Sequence, residues 1–141
     1  MHAANPELYY SVDQYNNLDN KDAHCDSTGK EIYEQTNGAV SHFVMSSSTG
    51  GTIQGVGKYL KDKNSNVTVV LSDPEKSRLH GLLLNRIEGE TQSKQMLADV
   101  ADKIKATGGI KVEGAGKEAL TGIMSTNNIT LEHVDYSISI N

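Results

Sequence analysis

The residues with the clearest chemical potential form one run of seven, Ser46-Ser47-Ser48-Thr49-Gly50-Gly51-Thr52. The first backbone N–H groups of a helix have no partner within it and carry the positive end of its dipole. An anion placed there gains hydrogen bonds and favourable charge. Gly50 and Gly51 let a ligand approach the backbone without a Cβ in the way, and Ser48, Thr49 and Thr52 add hydroxyl donors. A phosphate group is the guest such a run would fit. The same residues also read as an ordinary N-cap and turn, because short glycine-hydroxyl loops are common.

The flanks predict what positions this run. Residues 40–45, Val-Ser-His-Phe-Val-Met, are short, apolar and rich in β-formers. After the run, Ile53, Val56 and Leu60 recur at helical spacing up to Lys63. Asn64-Ser65-Asn66 then supplies a turn, and residues 67–71, Val-Thr-Val-Val-Leu, are the near-continuous β-branched run of a buried parallel strand. Residues 40–71 therefore predict a βαβ unit with the loop at the carboxyl end of its first strand, where open α/β sheets bind ligands.

Elsewhere, Thr28-Gly29-Lys30-Glu31 has the spacing of a capping box and Asn37-Gly38 supplies a stop, which predicts a helix over 28–36 with Ile32 and Tyr33 facing the core. Residues 5–20 read as irregular, with a short strand around 9–12. Ser72-Asp73-Pro74 should end the second strand, and residues 79–84 are too short a run to assign. A helix is predicted over 92–106: Met96, Leu97, Val100 and Ile104 form its apolar stripe, Asp99 and Lys103 sit four apart on the other face, and Gly108-Gly109 stops it. A short strand over 110–112 should lead into the turn Gly114-Ala115-Gly116. The alternation over 134–140 predicts a final strand.

At 141 residues the expectation is one domain, and with 36% hydrophobic residues, 13 glycines, one Phe and no Trp the core should be light, with part of it supplied from elsewhere. The net charge of −5, without a basic cluster, argues against nucleic acid. No leader pattern begins the sequence, and no apolar run approaches the ~20 residues that span a bilayer. A lone Cys25 forms no internal disulfide, so a reducing, cytoplasmic location is expected and the sequons at Asn66 and Asn128 carry no weight. No metal site is expected, since His24-Cys25-Asp26 are adjacent and His2, His42, His80 and His133 are scattered. Cys25 reads as a packed or surface residue rather than a nucleophile.

Five segments, in order, resemble the fold-type II pyridoxal-phosphate enzymes, specifically the cysteine synthase and cystathionine β-synthase group. They are Gln14-Tyr15-Asn16-Asn17, Thr28-Gly29-Lys30-Glu31-Ile32, Ser48-Thr49-Gly50-Gly51-Thr52, Asp73-Pro74 and Glu113-Gly114-Ala115-Gly116. Asp13-Gln14-Tyr15 with Asp73-Pro74 looks more like the cystathionine β-synthase branch. A threonine dehydratase-like branch fits these segments less well. The resemblance is close over 5–79 and returns over about 110–140, with a longer, helix-containing connection at about 80–109.

The resemblance implies an α/β fold, an incomplete three-layer Rossmann-like βαβ unit of the fold-type II class, and a chain that is one partial catalytic domain over 1–141. It implies pyridoxal 5'-phosphate as cofactor, with Ser48, Thr49, Gly50, Gly51 and Thr52 holding its phosphate, Gly114 and Ala115 lining the pocket near its ring, and Gln14 contacting the substrate carboxylate. The complete enzyme would perform β-replacement on serine or an activated serine, take a small amino-acid substrate, and could be a homodimer. Ser48 stands where the family has glycine, and Ala115 where it has isoleucine. The family's Schiff-base lysine segment, substrate loop and pyridine-facing serine have no counterpart in this sequence, and Lys30 and Lys58 fall on solvated helix faces. No catalytic residue is therefore assigned. The alternative is a non-catalytic α/β phosphate-binding or interaction module derived from the same family.

Overall fold

The computed structural model describes residues 2–88, 90–110, 112, 114–116 and 131–140. Its first large element is a helical rod. The Asn17 side chain accepts the Asp19 N–H at 3.0 Å, so α1 (Asp19–Ala23) starts there and runs on through a wider turn, His24–Gly29, into α2 (Lys30–Gln35). The helix expected at 28–36 thus begins nine residues earlier. The capping box does not form, because Thr28 lies inside the rod and its hydroxyl meets His24 Nδ1 at 2.9 Å. The stop is where the sequence places it: Asn37 and Gly38 take φ of 50° and 71°, and the Gly38 N–H closes on the Tyr33 carbonyl at 2.8 Å.

The strand expected at 9–12 is absent. Tyr10 and Val12 are exposed, and the preceding backbone turns on itself through the Asn5 carbonyl. With no strand beside it, a β-rich tetrapeptide has no reason to extend.

The βαβ unit is present as expected. Strands β1 (His42–Met45) and β2 (Thr68–Pro74) are parallel, and α3 (Gly51–Lys63) joins them. The third strand, β3 (Tyr136–Ile140), lies parallel on the far side of β2, giving the order β1-β2-β3. Strand β2 ends within Ser72-Asp73-Pro74 as expected, running as far as Pro74, whose missing N–H is harmless at a strand end. Lys61 fixes the entry to β3: its Nζ reaches the Asp135 carboxylate at 2.7 Å and the Val67 carbonyl at 2.9 Å.

The unassigned residues 79–84 begin α4 (Leu79–Glu88), and α5 is Glu90–Thr107, ended by Gly108 at φ 77°. Val100 is buried, while the side chains of Met96 and Leu97 lie outside the described set. Asp99 and Lys103 do not pair with each other. Lys103 reaches Glu75 at 3.1 Å and Asp99 accepts from Gln95 at 2.9 Å. The strand expected over 110–112 is not seen at Ile110 or Val112; Lys111 and Glu113 lie outside the described residues.

The core joins Ile53, Val56 and Leu60 of α3 to Val69 and Leu71 of β2 and to Leu79 and Leu83 of α4. These helices share one face of the sheet. Val69 lies against Gly57 of α3, and Ser137, level with Leu71, bonds His80 of α4. On the other face Val44, Val70 and Tyr136 stand in one row, followed by Ile138 beside Ser72 and Ile140 beside Pro74. Val44 is 56% exposed and Tyr136 63%. The described residues therefore supply the sheet and one helical layer of the expected three-layer unit. Purely parallel sheets are normally covered on both faces.

Candidate functional site

The seven-residue run leaves β1 at its carboxyl end and enters α3. Gly50 caps the helix in the left-handed region, φ 90° and ψ −11°, a conformation that disfavours any residue with a Cβ. Having no side chain, it also leaves the helix start without a side-chain cap. Its carbonyl is held by both the backbone N–H and the side-chain amide of Gln54, each at 3.2 Å. The Gly51 N–H has only a long contact, 3.4 Å, to Thr49 Oγ1. The positive end of α3 is thus presented to whatever lies in front of the loop.

What lies in front is a cavity of about 260 Å³. Of the residues nominated from sequence, Gln14, Ser48, Thr49, Gly50, Thr52 and Gly114 line it, with Tyr15, Met45, Ser46 and Ser47 completing the wall. No acidic side chain is among them, which suits an anion. Gly51, the first residue of α3, is not among the residues that line this cavity, although its N–H lies at the helix start that faces the loop. Ala115 instead lines a second cavity of about 380 Å³, walled largely by Pro74, Ile110, Val112 and Ile140 on the open side of the sheet. Ser46 borders both, so a polar chamber and a more apolar one adjoin at the end of β1. Ser48 is compatible with the loop, since the described non-glycine residues with positive φ are only Asp13, Asn37 and Leu131.

Several residues that hold the site were not nominated from sequence. His24 Nε2 meets Thr52 Oγ1 at 3.1 Å while its Nδ1 meets Thr28 Oγ1, so one imidazole orients a hydroxyl of the loop from the helical rod. The Gly116 N–H donates to the Ser47 carbonyl at 2.6 Å and ties the second glycine turn to the first. Asn20 reaches both Gln14 and Thr49. The contacts of His24 with Thr52, Gly116 with Ser47 and Asn20 with Thr49 join positions far apart in the chain, and no local pattern announces them. The only available signal was the resemblance, which had placed the segments in one order without saying how they touch.

Among the described residues no three His, Cys, Asp or Glu side chains cluster as a metal site. Burial pushes the Cys25 thiol above its ordinary range, which disfavours the nucleophilic thiolate. Lys30 and Lys58 pair with Glu34 and Asp62 on exposed helix surface.

The geometry defines an open parallel α/β unit with a cavity at the carboxyl end of β1, the end at which such folds bind ligands. The chain belongs to the pyridoxal-phosphate dependent enzyme family, whose model matches residues 2–125. It is 36% identical over 121 residues to "Cysteine synthase 2" of Schizosaccharomyces pombe, covering 82% of this chain and 28% of that one. With "Cysteine synthase 2" of Neurospora crassa it shares 32% identity over 136 residues, 92% of this chain and 28% of that one. With "Cysteine synthase" of Aquifex aeolicus it shares 51% identity over 69 residues, 49% of this chain and 21% of that one. In fold it resembles the crystal structure of O-ureido-L-serine synthase, with a TM-score of 0.64 at 19% identity, over 99% of this chain and 36% of that one. The fold is that of the fold-type II pyridoxal-phosphate enzymes, and the chain spans between about a fifth and just over a quarter of the length of these curated relatives.

Proposed function

We propose that this chain is the phosphate-gripping part of a pyridoxal-phosphate enzyme of the cysteine synthase and cystathionine β-synthase type, whose complete form performs β-replacement on serine or an activated serine. The observation that carries the reading is the uncapped start of α3, opening through Gly50 into a hydroxyl-lined cavity at the end of β1. The residues present fit the cofactor's chemistry. The N–H groups at Gly51 and Thr52 and the hydroxyls of Ser48, Thr49 and Thr52 hold the phosphate. The adjoining, more apolar chamber beside Ala115 has room for a ring, and Gly114 lines the chamber on the loop side. Gln14 offers its amide to the carboxylate of an amino-acid substrate. When bound, pyridoxal phosphate supplies an electron sink for carbanion chemistry. The chain's own residues bind and orient, and His24 keeps the Thr52 hydroxyl directed.

The 141 residues then form one partial catalytic domain. No turnover is expected of the chain alone, because the Schiff-base lysine segment has no counterpart in it. Serine, homocysteine and pyridoxal phosphate added to the purified chain should yield no cystathionine. A cytoplasmic location and self-association into a homodimer go with this reading; among the described residues no helix is long and apolar enough to cross a membrane. The alternative, a non-catalytic phosphate-binding or interaction module, shares the loop chemistry and differs in whether any complete form turns over.

The test is a titration with pyridoxal phosphate read by absorbance and by thermal shift, with Thr52→Val as comparison. Stabilisation of the wild type that is reduced in Thr52→Val supports the reading. Equal response of both, or none, leaves the loop a strand-to-helix turn.

A further inference from the structure

The segment carrying Gln14 and the loop carrying Thr49 lie 35 residues apart, and one side chain touches both. Asn20, half-buried in the first turn of α1, donates from Nδ2 to the Gln14 carbonyl at 2.8 Å and to Thr49 Oγ1 at 3.3 Å. A primary amide has two N–H groups on one nitrogen, and here each has its own acceptor. The other half of the amide is used as well. A Cβ built on Gly51 would stand 2.0 Å from Asn20 Oδ1 and 2.5 Å from Cγ, so Asn20 packs where only a glycine allows it.

Through this amide the Gln14 segment has a hydrogen-bonded link to the loop. Its residues are exposed, and its turn is shaped by short-range bonds: Asn16 Nδ2 to the Asp13 carboxylate at 2.8 Å, and Asn17 Nδ2 to the Val12 carbonyl at 3.2 Å. Those bonds shape the turn without fixing it to the loop.

We propose that Asn20 is a positioning residue, a clasp that holds the Gln14 segment in fixed register with the phosphate loop and keeps the Thr49 hydroxyl directed at the cavity. This rests on the reading of the loop as a phosphate site. It adds that the group facing the substrate carboxylate and the group gripping the phosphate are coupled through one amide. Aspartate cannot replace it, because a carboxylate has no N–H to donate and brings negative charge toward the anion.

The experiment uses the full chain and its Asn20→Ala, Asn20→Asp, Thr49→Val and Asn20→Ala/Thr49→Val variants, with Asn16→Ala as a control. Pyridoxal phosphate and inorganic phosphate are titrated, chymotryptic cleavage after Tyr15 is timed, and urea midpoints report folding. Losing the clasp should weaken pyridoxal phosphate binding about tenfold and speed cleavage after Tyr15 several-fold, with little change in the urea midpoint. Thr49→Val should cost much less affinity in the Asn20→Ala background than in the wild type. Should Asn20→Ala fail to fold, Asn20→Asp, which keeps the shape of the amide without its two N–H groups, carries the test. A wild type that binds while Asn20→Ala binds equally well overturns the clasp, as does unchanged cleavage after Tyr15. A wild type that binds neither ligand overturns the phosphate reading instead, and the cleavage rates then decide the clasp alone.

Discussion

Two faces of one sheet, built from similar residues, have different surroundings in this chain. On one, Val69 and Leu71 are fully buried under α3 and α4. On the other, Val44, Tyr136, Ile138 and Ile140 are each about half exposed or more, although valine, isoleucine and tyrosine are equally good strand formers. The difference lies in the covering layer rather than in the strands. Among the described residues, helices cover the face that backs the Ser48–Thr52 loop, and none covers the face that borders the larger, more apolar cavity. On the proposed reading, the covered face backs the anion-binding end of the family's fold.

The contrast is broken most directly by truncating one side chain on each face. Leu71→Ala should lower the urea-unfolding free energy by about 2–5 kcal/mol, since it opens a void under α3. If Ile138→Ala costs as much, the open face is covered in solution.

Next in size is Asp73, at the end of β2 on the covered side. Its carboxylate accepts the His80 N–H at 2.8 Å at the start of α4, and burial pushes its pKa from 3.8 up to about 6. The folded state then binds a proton that the unfolded chain has already released between pH 4 and 6. This group's contribution is present below pH 4 and is lost as the pH rises through 6, a swing of about 2–3 kcal/mol. Asp73→Asn keeps an acceptor for the N–H and removes the titration. The stability difference between variant and wild type should therefore grow in the variant's favour from pH 4 to pH 7, and a constant difference would refute the assignment.

A smaller effect, about 1 kcal/mol, is expected from Lys61→Met, which breaks the 2.7 Å pair with Asp135 at the entry to β3 and leaves that carboxylate on the Val69 N–H. Smallest is Ile138→Thr on the bare face, which should stay within about 0.5 kcal/mol. A larger loss would mean that another layer sits there.

The parts of this fold that could be read in advance are those whose cause is local. The βαβ unit was visible because apolar spacing changes from strand-like to helical at the glycines, and Asn37-Gly38 stops a helix by its own backbone preference. The misreadings share an opposite cause. The start of the helical rod depends on Asn17, not on the Thr28 to Glu31 spacing. Helix α4 could not be assigned from 79–84 because the group that meets its first turn, Asp73, belongs to the preceding strand. Residues 9–12 have strand-like composition and no neighbour to pair with. In the candidate site, Ser48 to Thr52 was legible as chemistry, and Gln14 and Gly114 fall on the same cavity wall. Asn20, His24 and Gly116 were not legible, because each acts on a residue 28 or more positions away or across the second glycine turn.

The most direct measurement is an amide NMR titration of the chain with inorganic phosphate, followed by pyridoxal phosphate. Saturable shifts centred on the backbone N–H groups of Gly50, Gly51 and Thr52, reached with both ligands, are the predicted result. Shifts absent from these three amides, or confined to the lysine-bearing helix surfaces, would contradict a phosphate site at the start of α3.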